Sequence, residues 1–294
     1  MQCPTPLYLR DKITAKWLTV PCGKCEICLD NRRQDWFVRL QEEMRTAKLS
    51  LFITLTYDEE FIPINDKGVR EVSEVDVTTF FKRLRKKIQD DEKEISFRYF
   101  LASEYGSQGQ RPHYHCCLFC NFSYTDVDGY IYTRHYIEQA IRAKWGKGFV
   151  DIGLLKPGGL NYVTKYIHKK KSPPDGAKPT FQRQSKGLGE SYLNFNTINY
   201  HKANVIFNNK YLDHTTTYRL PRYYREKIYN EKEKHLLKKH YEIQQEVKSD
   251  EEFKQISENI NKWRITQTEL LSQIEGQKRQ LRKRLKMSSG VIDT

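Results

Sequence analysis

The sequence predicts an α+β fold, an antiparallel sheet with flanking helices. Three observations carry that expectation. Short runs rich in β-branched and aromatic residues (51–57, 96–105, 113–120, 149–155) alternate with segments of helical periodicity (73–89, 135–146, 160–171). Their order is strand, helix, strand, strand, helix, strand, helix, with consecutive strands in the middle. Those two strands are joined by GSQGQRP (106–112), a turn-rich connection that makes them a hairpin.

Taken in order, residues 3–28 read as a loop-like stretch holding Cys3, Cys22, Cys25 and Cys28 among Pro4, Pro6, Pro21 and Gly23. A helix is expected from about Asp30 to Lys48, with Trp36, Val38, Leu40 and Met44 as its apolar residues. LFITLTY (51–57) has the composition of a strand. SEVDVTTFFKRLRKKIQ (73–89) reads as a helix capped by Ser73, with Val77, Phe80, Phe81 and Leu84 as the buried stripe. The hairpin, the helix 135–146, the strand 149–155 and the helix 160–171 follow. Residues 172–189 are rich in Pro, Gly and cations and read as loop. From Pro221 to about Met287 the chain is charged and helix-forming, with Leu236, Leu237, Ile243, Val247, Phe253, Ile256, Ile260 and Trp263 as a modest apolar seam and a basic run at 278–286. The expected organisation is a cysteine-bearing segment and helix (1–48), a central α+β domain (49–220) and a basic helical region (221–294).

The chain has 294 residues and a net charge of +14, with pI ≈ 9.3. That balance points to a polyanionic partner, and 19 tyrosines offer stacking platforms for unpaired bases. No apolar stretch reaches membrane-spanning length, and the first residues lack the apolar core of a secretory signal, so a cytoplasmic protein with no membrane partner is expected. Seven cysteines, an odd number, argue against a disulfide framework.

The chemistry concentrates at two places. In RPHYHCCLF (111–119), His113 and His115 project from the same face of a strand, because side chains alternate. Glu104 ends the preceding strand and is carried back beside His113 by the hairpin. Two imidazoles and a carboxylate make a three-ligand site for Mg²⁺ or Mn²⁺, with substrate phosphate supplying further ligands. The blander alternative is a pair of hydrogen-bonded strand histidines. The second place is YVTKYIHKK (162–170): Tyr162 and Tyr166 share one helix face, and so do Lys165 and Lys169. Ordinary amphipathic packing is the alternative there. A phenol is a weak nucleophile near neutral pH, and a divalent ion on the scissile phosphate is one remedy. Lys165 would favour the phenolate and offset charge on the phosphorane.

At these residues the sequence resembles the HUH endonuclease family. His113-Tyr114-His115 is similar to its His–hydrophobic–His motif, FITLTY (52–57) to its first motif, and Tyr162-x-x-x-Tyr166 to its paired-tyrosine third motif. The paired form with Lys165 most resembles the replication initiators of microviruses, and RPHYH with VPCGKCEIC (20–28) is closest to the gokushovirus branch. Tyr114 is a bulky, polar-tipped departure where an aliphatic residue is common. The resemblance covers roughly residues 20–190. It implies a ferredoxin/RRM-like core, nicking of one strand of double-stranded replicative DNA at its origin, a 5′-phosphotyrosine adduct and later rejoining into circular single-stranded DNA. It implies His113 and His115 as metal ligands with Glu104 beside them, Tyr162 and Tyr166 as nucleophiles, and a host helicase and polymerase as partners in the bacterial cytoplasm.

Cys22-x-x-Cys25-x-x-Cys28 with Cys3 could hold one structural Zn²⁺, or remain free thiols. An iron–sulfur run would want a cysteine where Arg32 stands. Cys116, Cys117 and Cys120 are expected in the core. In RQSKGLG (183–189), Arg183 and Lys186 are candidate DNA contacts, as is Lys169. Rival functions are a non-catalytic single-strand binder and a relaxase or transposase of the same chemistry. Relaxases usually place the nucleophile ahead of the histidines, and here the order is reversed. No HExxH is present, which disfavours a metalloprotease.

Overall fold

The computed structural model describes residues 3–10, 15, 17–106, 109–123, 126–168, 173–213 and 216–244, with positions 247, 251, 272, 275, 276 and 279 beyond. Lys169, most of the basic run 278–286 and the seam positions Phe253, Ile256, Ile260 and Trp263 lie outside the described residues. Two compact units divide the chain, residues 1–197 with 210–224, and 198–209 with 225–294.

The first unit is built on a five-stranded sheet. Its central strand pairs are β3 (Leu49–Thr56) with β5 (Pro112–Asn121), and β5 with β4 (Ser96–Tyr105). Outside them, β6 (Val150–Leu154) pairs with β3, and β7 (Gln182–Gln184) pairs with β4, every pairing antiparallel. The sheet order is β6-β3-β5-β4-β7. With α2 (Glu74–Asp91) after β3 and α3 (Val127–Trp145) after β5, the run is β-α-β-β-α-β. That succession with this strand order is the ferredoxin-like arrangement. The antiparallel α+β sheet with flanking helices is therefore observed.

Strand alternation sorts the residues onto two faces. Leu49, Leu51, Ile53 and Leu55 of β3, with Tyr114, Cys116, Leu118 and Cys120 of β5, pack with Val77, Phe80, Phe81 and Leu84 of α2 and with Ile137, Ile141 and Trp145 of α3. The intervening residues face the other way. Phe52, Phe100, Ala102, Cys117 and Phe119 join Phe37 and Leu40 of α1 (Glu26–Thr46) and Leu160 and Val163 of α4 (Pro157–His168). Cys116, Cys117 and Cys120 are thus core residues, as expected. A salt bridge anchors α1 on this second face: Glu43, its side chain fully buried, meets Arg98 Nε at 2.8 Å. It also accepts the Gly189 N–H at 2.8 Å.

The helices start where capping chemistry allows. The Ser73 hydroxyl accepts the Asp76 N–H at 3.1 Å at the head of α2. Asp126 accepts the Gly129 N–H at 2.8 Å at the head of α3, so that helix begins eight residues before the expected start at His135.

Three local expectations change. Residues 172–189 are not all loop, because β7 extends the sheet on the free edge of β4. A three-residue polar strand carries no alternation to detect. Residues 3–28 are not all loop either: β1 (Leu7–Arg10) and β2 (Trp17–Val20) form an antiparallel hairpin with almost no burial. Finally, α1 starts at Glu26, inside the cysteine cluster. After the core, β8 (Lys210–Asp213) and β9 (Thr216–Arg219) make a small hairpin that ties back to α1 through Arg45 and Asp213 at 2.6 Å.

In the second unit, His201 is buried and bonded to the Asn208 carbonyl. Residues 231–244 are helical, opened by Asn230, whose side chain accepts the Glu233 N–H at 3.0 Å. Leu237 is buried, whereas Leu236, Ile243 and Val247 are exposed. The expected seam is therefore narrower among the described residues. No helix among the described residues is long and apolar enough to cross a membrane.

Candidate active site

The site lies on the α1/α4 face, at the end of the sheet where β4 finishes, β5 begins and β3 runs out. The register places Thr56 opposite His113, Thr54 opposite His115, and Glu104 opposite His113 across the hairpin. Opposed residues in a ladder point to the same side. All five polar side chains therefore share one face, as the period of two dictates.

Each histidine is held through Nδ1. The Thr54 Oγ1 lies 3.3 Å from His115 Nδ1, and the Thr56 Oγ1 lies 3.1 Å from His113 Nδ1. With the proton on Nδ1 and donated to a hydroxyl, Nε2 keeps its lone pair for a cation. Nε2 of His115 sits 3.2 Å from Glu104 Oε2. His113 is packed against the hairpin turn: a Cβ at Gly106 would come within 2.7 Å of its Nε2. Only glycine leaves that nitrogen its space. Burial, followed by the neighbouring His115, pushes the His113 pKa below its ordinary value, against the pull of Glu104.

Helix α4 brings both tyrosines over His115. The Tyr166 ring stacks on His115 with centroids 4.8 Å apart and planes 10° from parallel. Tyr162 meets the same imidazole edge-on at 5.3 Å, and the two phenol rings are 5.1 Å apart. Phe52 backs the group at 6.0 Å from His115 and 5.9 Å from Tyr162. The tyrosines differ in setting. Tyr162 is 44% exposed. Tyr166 is half-buried, and its hydroxyl is hydrogen-bonded to Tyr162 and Glu104. Burial first, then those bonds, raise its pKa well above that of a free phenol.

The donor set suits a hard or borderline divalent ion. Two cis ligands about 2.1 Å from an octahedral metal stand about 3.0 Å apart, close to the observed separation of His115 and Glu104. The structure brings Glu104, His115, Tyr162 and Tyr166 into one cluster, with His113 opposite Glu104 in the ladder. Among the described residues, the ligand atoms of Glu104, His113 and His115 are not all within 4.8 Å of one another, as those of the four cysteines are.

The remaining candidates fall elsewhere. Lys165 is exposed on α4 and Lys186 is exposed after β7. Arg183 is opposite Leu101, so it lies on the α2/α3 face, where it pairs with Glu74 of α2. That is the face away from the tyrosines. Thr54, Thr56, Phe52 and Gly106 were given no role by the sequence reading. Alternation in LFITLTY (51–57) sets Thr54 and Thr56 on the face away from Leu51, Ile53 and Leu55, but only the β3–β5 register makes that the histidine face.

Comparison with known proteins follows the same stretch. The model of the replication-associated protein ORF2 family matches residues 50–171, from β3 past the tyrosine helix. Residues 50–171 are thus similar to that family. Over 197 residues the chain is 32% identical to the replication-associated protein ORF2 of Spiroplasma virus 4, covering 64% of this chain and 61% of that protein. It is 29% identical over 157 residues to the replication-associated protein VP4 of Bdellovibrio phage phiMH2K, covering 51% and 48% of the two chains. It is 26% identical over 183 residues to the replication-associated protein ORF4 of Chlamydia phage 1, covering 58% and 44%. The chain thus spans about half the length of the curated relatives it matches. No solved structure matches it. The resemblance to microvirus replication proteins, first drawn from the motifs, is borne out, and the matched segment contains all three motifs.

Proposed function

We propose that this chain acts in initiating phage DNA replication, nicking one strand at the origin by tyrosine transesterification and later rejoining it. The observation that supports this most is that both α4 tyrosines pack on His115, Tyr166 stacked and Tyr162 edge-on, while the imidazole Nε2 meets Glu104. In the step, the phenol oxygen of Tyr162 or Tyr166 attacks phosphorus. A P–O(tyrosine) bond forms, the P–O3′ bond breaks, and the 3′ oxygen leaves as a hydroxyl. The phenolic proton is lost to a base or to water. The 5′-phosphotyrosine ester keeps the energy of the broken linkage, so a 3′-hydroxyl can later reverse the step. Hydrolysis would discard that energy.

Glu104, His115 and His113 are the residues that would hold Mg²⁺ or Mn²⁺, whose chemistry is Lewis-acid polarisation of the scissile phosphate. Thr54 and Thr56 orient the two imidazoles. Lys165, exposed on the same helix as the tyrosines, would offset phosphate charge. We assign the first attack to Tyr162, because its ring is open to solvent while the Tyr166 hydroxyl is tied to Glu104. Tyr166 then serves the second strand, once the first adduct has drawn Tyr162 away. The partners this requires are single-stranded and double-stranded forms of the origin, and host proteins that unwind and copy it.

The test uses single-stranded oligonucleotides tiled across the genome that encodes the chain, incubated with Mn²⁺. Cleavage with a shifted protein band, abolished by chelation and by His115→Ala, is expected. A folded protein that binds these oligonucleotides without ever cleaving one would leave a single-strand binder as the correct description.

A further inference from the structure

The amino-terminal cysteines form a second centre, outside the matched family segment and far in sequence from the tyrosines. All four sulfurs of Cys3, Cys22, Cys25 and Cys28 lie within 4.8 Å of one another. Cys3 and Cys25 are 3.7 Å apart, and Cys22 and Cys28 are 4.0 Å apart. A tetrahedral ion with Zn–S bonds of about 2.3 Å sets its sulfurs about 3.8 Å apart. The observed edges sit on either side of that value. They are too long for disulfides, and none of the four is in one. They are also too short to surround a cluster of several irons.

The backbone around the sulfurs is arranged for thiolates. The Cys22 N–H donates to Cys3 Sγ at 3.3 Å, and the N–H groups of Lys24 and Cys25 donate to Cys22 Sγ at 3.4 and 3.3 Å. Cys25 is the N-cap of the 21-residue helix α1, and Cys28 lies in its first turn. Unpaired N–H groups at a helix start favour negative charge, which a four-thiolate centre brings.

The fold supplies an independent reason for a metal. Cys3 precedes β1 and Cys22 follows β2, so the pair closes the base of the β1–β2 hairpin. That hairpin has four-residue strands with Leu7, Tyr8, Leu9, Trp17 and Leu18 all exposed. A two-stranded hairpin without a buried face is marginal in water. The cysteines are what join its two ends to the start of α1.

We propose that Cys3, Cys22, Cys25 and Cys28 bind one structural Zn²⁺ that clamps the amino-terminal hairpin to the head of α1. This does not depend on the nicking reaction. The test measures metal in the full chain, purified under reducing conditions and dialysed against EDTA to strip weakly held ions. About one zinc per chain is expected, falling below about a tenth in a Cys22→Ser/Cys25→Ser double variant and unchanged in His113→Ala. Replacement by Co²⁺ should give the thiolate-to-metal band in the near ultraviolet and the intense visible bands of tetrahedral cobalt. Removing the zinc with a strong thiol-competing chelator should open residues 1–25 to protease while far-ultraviolet circular dichroism stays nearly unchanged. A chain holding no tight metal, holding iron instead, or taking up Co²⁺ without the thiolate band would overturn the proposal.

Discussion

At the scale of single residues, the two threonines of β3 carry the most specific consequences. Thr54 and Thr56 contact the histidines at Nδ1, the position that fixes ring orientation and tautomer. Removing such partners typically costs 10–100-fold in metal affinity. Thr54→Val and Thr56→Val should fold normally and each raise the Mn²⁺ concentration needed for half-maximal cleavage by about 10-fold or more. An unchanged Mn²⁺ requirement would deny the threonines that role. His113 gives the pH prediction. Its pKa is depressed by burial first, so the unfolded chain binds the proton more readily than the folded one. The stability it contributes is fully present above the unfolded value of about 6.5 and is lost as pH falls through the folded value. Denaturant midpoints should therefore fall on acidification below about pH 6.5, and less steeply in His113→Gln. Equal slopes in the two proteins would contradict the assignment.

At the scale of elements, Ser73 offers a clean test. It is the N-cap of α2 and touches the fold elsewhere through its backbone, whose N–H donates to the Tyr114 hydroxyl at 2.8 Å. Ser73→Ala should cost about 1 kcal/mol by denaturant titration, with metal binding untouched. A neutral substitution would mean the capping bond is weak in solution. Elements of this kind were legible in the sequence because local chemistry and period agreed: the Ser73 cap, the Phe80/Phe81/Leu84 stripe and the His113–His115 alternation each named their own structure. The convergence of β5 and α4 was legible only through the family motifs, since nothing in Tyr162-x-x-x-Tyr166 says which face of the sheet it meets. What escaped had no local signal. Strand β7 is three polar residues, fixed by the bare edge of β4 rather than by its own pattern. The β1–β2 hairpin buries almost nothing, and its sequence shows no clear alternation. Arg183, chosen for its basic neighbourhood, faces α2 because its pairing with Leu101 decides the side.

At the scale of the whole molecule, the net charge of +14 would set how the proposed DNA partner is held. If about three phosphates are neutralised on a single strand, log affinity falls with log salt at a slope of about −2. That is about 20-fold between 50 and 200 mM salt. A flat salt response would place recognition in base contacts instead. The same scale holds the central claim, because the sheet, the hairpin register and α4 must all be in place to set two phenols over His115. The most direct test is to trap the covalent product formed with a single-stranded oligonucleotide and Mn²⁺, digest both polymers, and locate the residual nucleotide by peptide mass spectrometry. The account predicts a nucleotide phosphate on Tyr162 in the wild-type chain and on Tyr166 in Tyr162→Phe. Strand cleavage that leaves no nucleotide on either tyrosine, or leaves it on another residue, would contradict it.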